Sequence, residues 1–94
     1  MQTVDIPPRP LDRSAAEYPA RARAKGIEGY VTFSLLIDED GVVSDLVVVD
    51  SSPQGVFEGP ASNALKSWRF SAGEYEGEPV AVRVTQTLRF QLGT

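Results

Sequence analysis

Between Glu28 and Ile37 apolar and polar positions alternate. Val31, Phe33, Leu35 and Ile37 share one side of an extended chain, and Tyr30, Thr32, Ser34 and Leu36 share the other. A period of two predicts a strand with one buried face. Asp38-Glu39-Asp40-Gly41 interrupts the alternation, and its Asp-Gly pair predicts a hairpin turn. A second strand is predicted over Val42–Asp50. Its pattern is broken: Val43 and Leu46/Val48 reach the same face only if a bulge adds a residue, and Val47 and Val49 then point the other way. A third strand is predicted over Val80–Leu92. Val80, Val82, Val84, Leu88, Phe90 and Leu92 form its inward row, with Gln86 the single polar member. Ala81, Arg83, Thr85, Thr87, Arg89 and Gln91 form the outward row.

The period changes between the second and third strands. Phe57, Ala61, Leu65 and Trp68 fall on one stripe of a helix, whose regular part begins near Gly59 or Pro60 because proline suits only the first turn. This stripe assigns Phe57 and Trp68 to the core. An earlier helix is predicted over Pro19–Lys25, stopped by Gly26. Ser14 and Glu17 resemble a capping box, but a helix begun there would carry Pro19 past its first turn. Residues Ser71–Pro79 read as an acidic, glycine-containing loop. Pro7, Pro8 and Pro10 mark residues 1–13 as the end of an extended linker, ordered only if something holds it. The expected domain is residues 14–94. Its fold class is α+β: a three-stranded antiparallel sheet, order 2-1-3, with two helices packed on one face. The strand richest in apolar positions takes the centre, which leaves the last strand as a long edge.

Composition narrows the chemistry. The chain has 94 residues, one domain's worth, with neither cysteine nor histidine. Ser–His and Cys–His catalysis and most zinc sites are thereby excluded. The net charge of −4 argues against a general nucleic-acid binder. The first 25 residues nevertheless hold five basic residues (Arg9, Arg13, Arg21, Arg23, Lys25) against three acidic ones. The acidic turn at residues 38–41 lacks calcium-loop acids, since Leu36 and Val47 stand where such a loop needs them. Ser62 and Lys66 miss the Ser-x-x-Lys spacing by one residue. No cofactor and no enzymatic site is expected. The longest apolar runs, Leu46–Val49 and Leu35–Ile37, fall far short of the roughly 20 residues that span a bilayer.

Several motifs in order carry a family resemblance. Tyr18-Pro19-Ala20-Arg21-Ala22 is followed by Gly26-Ile27-Glu28-Gly29, then Asp40-Gly41-Val42-Val43, then Ser51-Ser52-Pro53 with Phe57. Ala61 and Ala64, Trp68-Arg69-Phe70, Gly77-Glu78-Pro79-Val80 and Phe90-Gln91-Leu92 complete the series. Over Tyr18–Leu92 the chain resembles the TonB family C-terminal domain. The resemblance implies the periplasmic part of a Gram-negative energy transducer. Its N-terminal helix, absent here, would sit in the inner membrane with an ExbB–ExbD-type motor. Its C-terminal domain would grip the TonB box of TonB-dependent outer-membrane receptors and drive siderophore or cobalamin uptake. The same fold would also suit a TolA-like or signalling adaptor that binds envelope proteins without transducing energy.

The resemblance also implies a site. In the family the receptor peptide adds as a strand beside the last strand, which maps here to Arg83, Val84, Thr85, Gln86, Thr87, Leu88 and Arg89. The segment before the Tyr-Pro pair also contacts the receptor, which maps to Ala15, Ala16, Glu17 and Tyr18. Family members often carry Gln-Pro-Gln before Tyr-Pro. This chain has Ala15-Ala16-Glu17, which is expected to add negative charge near the peptide. Tyr18 is expected to pack at the core's edge rather than to contact the peptide, and the alternative role for Arg83 and Arg89 is only to guard an exposed strand against aggregation. The same edge offers a homodimer by edge-strand pairing.

Overall fold

The computed structural model describes residues 4–93; residues 1–3 and 94, at the ends of the expected linker and domain, lie outside the described residues. The chain runs β1 (Arg9–Asp12), α1 (Ala20–Ala24), β2 (Gly29–Ile37), β3 (Val43–Ser52), α2 (Glu58–Ser67), β4 (Arg69–Ser71), β5 (Gly73–Tyr75), β6 (Glu78–Val80) and β7 (Val82–Phe90). The main sheet has the order β3-β2-β7, antiparallel throughout. This is the expected α+β topology, with the strand of cleanest alternation at its centre.

Val31, Phe33, Leu35 and Ile37 of β2 are all at most 1% exposed. Phe57, Ala61 and Leu65 cover them from the α2 side and are fully buried, joined by Leu88 and Phe90 of β7. Burying one such side chain contributes about 1.5–3 kcal/mol. Phe57 and Phe90 stack with ring centroids 4.4 Å apart, and Tyr18 meets both rings edge-on at 5.6 and 5.9 Å. α1 has only five residues, with Pro19 at its N-cap and Ala22 its one buried residue. Its end is a Schellman motif around Gly26 (φ 69°): Ile27 N–H donates to the Ala22 carbonyl and Gly26 N–H to that of Arg23.

The expected irregularity of the second strand is real, and it has two sites. Thr32 faces Asp50 but Phe33 faces Val48, so Val49 is an inserted residue. Asp45 and Leu46 together oppose Leu35, with Asp45 at φ 51°. The kinks turn Val43 and Leu46 onto the core. Val48 shares their face, opposite Phe33, but at the open rim of the sheet it stays 43% exposed.

Three other expectations change. The Ser71–Pro79 loop is a hairpin, β5–β6, turning on Glu76 and Gly77, both at positive φ as a type I′ hairpin turn requires. The last strand begins at Val82 rather than Val80 and ends at Phe90 rather than Leu92, because Val80 belongs to this hairpin and the Leu92 N–H donates to the Glu28 carboxylate instead. The proline-rich arm, read as a linker end ordered only if something holds it, is held: β1 pairs with β4, the Asp5 and Ile6 N–H groups both donate to the Glu74 carbonyl, and the Glu74 N–H donates to that of Ile6. Three prolines forbid a long ladder but permit this short edge pairing.

Two predictions follow from the packing. Gly41 sits at φ 80°, and a Cβ there would lie 1.9 Å from the Phe70 carbonyl oxygen. Gly41→Ala is therefore expected to lower unfolding free energy by more than about 2 kcal/mol, read by urea denaturation. Glu58 opens α2, and its Oε2 accepts from Gly55 N–H and from Ser51 Oγ, both at 2.9 Å. The backbone bond from Gly55 is the largest of the contacts that hold its pKa below the usual glutamate range, and partial burial opposes them. A carboxyl depressed in the folded state adds stability above its unfolded pKa and loses it as pH falls through the folded value. The stability gap between wild type and Glu58→Gln is thus expected at pH 7 and should shrink below about pH 4.3, measured by thermal melts across pH.

Candidate functional site

The sheet has two outer edges, and they differ. β3 carries two register shifts, which kink and twist its ladder. β7 pairs with β2 residue for residue from Gly29–Phe90 to Ile37–Val82 without a shift. Its other side has no strand neighbour among the described residues. Backbone groups of alternate residues point to opposite sides of a strand, so about four or five of its nine residues direct an N–H and a C=O outward. A straight, regular, unpaired edge is a template for another extended chain.

A wall stands beside this edge. Residues 13–18 run without helix or strand structure, and no backbone–backbone hydrogen bond engages them among the described residues. Side chains fix the segment instead. The Trp68 indole N–H donates to the Ser14 carbonyl at 2.9 Å, and the Arg13 guanidinium lies 5.9 Å from the indole centroid. The Tyr18 hydroxyl donates to the Ile27 carbonyl, and Arg23 stacks 4.9 Å from the Tyr18 ring. Burial, with a smaller push from Glu28, raises the Tyr18 pKa against the pull of Arg23. Tyr18 is thus a packed anchor at the core's edge.

Between wall and edge lies a groove of about 450 Å³, lined by residues 13–16, Tyr18 and Trp68 on one side and residues 86–91 on the other. The charged side chains on its lining are Arg13 and Arg89, both basic, in a chain of net charge −4. Its chemistry is main-chain hydrogen bonding between walls of mixed polar and apolar character, with the two arginines as its charged groups.

The structure places the sequence-derived residues in three groups. Ala15, Ala16, Tyr18, Gln86, Thr87, Leu88 and Arg89 line this groove together. Arg83, Val84 and Thr85 lie farther along β7, outside it. Glu17 lines a separate groove of about 540 Å³ on the α2 side of the wall, so the negative charge expected beside the β7 edge faces elsewhere. Arg83 reaches across the open face of the sheet: it donates to Ser34 Oγ at 2.8 Å and pairs with Asp45 of β3. Arg89 lies opposite Tyr30, whose hydroxyl donates to Asp50 at 2.9 Å and whose pKa that bond raises. Thr32 and Thr87 share a 2.7 Å hydroxyl bond on the same face.

The sequence reading missed Arg13, Ser14, Trp68, Phe90 and Gln91 as groove residues. Trp68 carried a usable signal. A buried indole needs an acceptor for its N–H, and the helical stripe offered none. Trp68→Phe keeps an aromatic side chain but removes the bond to Ser14 and part of the buried ring. Faster amide exchange at residues 13–16 is expected, with a stability loss of more than about 1 kcal/mol from the lost bond and the vacated ring volume and an unchanged fold, measured by NMR exchange and urea denaturation.

Comparisons with known proteins converge. The family described as Gram-negative bacterial TonB protein C-terminal matches residues 14–92. Protein TonB of Escherichia coli K12 is 35% identical over 77 residues, which is 82% of this chain and 32% of that protein. Protein TonB of Klebsiella pneumoniae is 35% identical over 96% of this chain and 36% of its own length. The chain thus spans about a third of these relatives. The solution NMR structure of the Pseudomonas aeruginosa TonB CTD is similar with a TM-score of 0.78 and 32% identity, covering 93% of this chain and 88% of that one. The Vibrio anguillarum TonB2 structure gives 0.69 and 37%, covering 92% and 82%.

Proposed function

The chain belongs to the Gram-negative bacterial TonB C-terminal family, and from that membership we propose that it is the periplasmic receptor-gripping end of an energy transducer. The TonB box of an outer-membrane receptor enters the groove and adds as a strand to β7. The chain N-terminal to β1 leads back to an inner-membrane anchor coupled to an ExbB–ExbD-type motor, and the captured strand transmits pull to the receptor during siderophore or cobalamin uptake. The observation that carries this reading is the unshifted, unpaired edge of β7 facing a wall that side chains hold in place.

The energetics fit a reversible grip. Each added main-chain bond nets about 0.5–1.5 kcal/mol, so a short peptide binds modestly. Walls fixed before binding reduce the ordering cost of the complex. Arg13 and Arg89 favour acidic residues in the approaching peptide. Under tension along the strand the row of bonds is loaded together, so a weak equilibrium grip still resists pulling. A second copy zipping onto β7 would use the same bonds, so peptide and homodimer compete for one edge.

Titrating isotope-labelled protein with a synthetic TonB-box peptide tests the proposal. The largest amide shift changes are expected in residues 86–91 and 13–18. Changes confined to the exposed side of α2 would contradict it. A pull-down from outer-membrane extract should recover receptors, and excess peptide should release them.

A further inference from the structure

Gln86 breaks the inward row of β7, and the fold does not need it to. Its partner across β2 is Phe33, only 1% exposed, so the Gln86 side chain stands on the helix-covered side of the sheet, between Val84 and Leu88. An apolar residue would suit that row. Gln86 is nonetheless half-buried rather than sealed, and it lines the groove. Its amide makes one long hydrogen bond, 3.4 Å, to the carbonyl of the next residue. A primary amide carries two donor hydrogens and an acceptor oxygen, so most of its capacity is unspent. Ala15 and Ala16, the small residues of the wall, line the same groove. Two small wall residues and one underused amide mark a position suited to a short side chain that can take a hydrogen bond.

We infer that Gln86 is a specificity-determining residue: it selects an uncharged, hydrogen-bonding side chain the size of serine or threonine at the position of the docked strand directly across from it. This inference rests on the strand addition proposed above. Directly opposed residues on paired strands hold their Cβ atoms about 4.5–5.5 Å apart, within reach of a threonine hydroxyl. A valine at the same position has the same shape, but it displaces water from the amide and returns nothing. The Thr-over-Val preference is expected to be about three- to tenfold, the size of one net hydrogen bond.

The test uses the full chain and heptapeptides in which each position in turn is Val or Thr. Binding is measured by calorimetry and located by amide shifts. In wild type, one position should favour Thr about three- to tenfold, and that preference should vanish in Gln86→Met, which keeps the side-chain length. Gln86→Val serves as a second variant, and circular dichroism checks the fold of both. If peptides shift residues 86–91 but wild type shows no such position, or the preference survives in both variants, the role of Gln86 is overturned while strand addition stands. If no peptide shifts residues 86–91, strand addition falls and this inference with it.

Discussion

The domain depends on one row of side chains. Val31, Phe33, Leu35 and Ile37 take β2 to the centre of the sheet, where both of its edges must be paired and one of its faces covered. With three strands and two helices, that demand uses up the available partners. The cover goes to one face, the pairing goes to β2, and the outer edge of β7 is left over. β3 is also an edge, but the kinks that bring Val43 and Leu46 to the core spoil its ladder for a partner. The asymmetry between the two edges therefore comes from the core's requirement for two side chains on β3.

A free edge alone would invite indiscriminate pairing. Here it is bordered. Trp68 and Tyr18 each bury a ring in or against the core and spend a polar tip on backbone: Trp68 on Ser14 in the groove wall, Tyr18 on Ile27 just past the end of α1. The same residues that stabilise the fold thus set the distance between wall and edge. Arg83 is drawn across the open face to Asp45, away from the groove, so the basic character of the groove rests on Arg13 and Arg89.

Much of this was legible in the sequence, for a physical reason. Strands and helices that bury a face must repeat at two or 3.6 residues, and β2, β7 and α2 are long enough to display the repeat. The topology and the residues on the central strand followed from it. The short elements display none. β4, β5 and β6 have three residues each, fewer than any period needs, and β1 pairs through a segment in which proline suggested only extension. The groove was half legible. Ala15, Ala16, Tyr18 and Gln86 to Arg89 came from the family resemblance, and they do meet in space. Glu17 lines the neighbouring groove on the α2 side; a segment outside helix and strand has no periodicity from which to read a side chain's direction. Arg13 and Ser14 were missed because the contact that positions them, with Trp68, spans 54 residues.

The central claim is that half the backbone of β7 waits for a foreign strand, and amide hydrogen exchange across Val82–Phe90 tests it most directly. In the free monomer, amides facing β2 should be protected and the alternate ones should exchange fast. Adding the peptide should slow the fast set and leave the other unchanged. Uniform protection in the free monomer, or an alternating pattern that saturating peptide does not alter, would contradict the account.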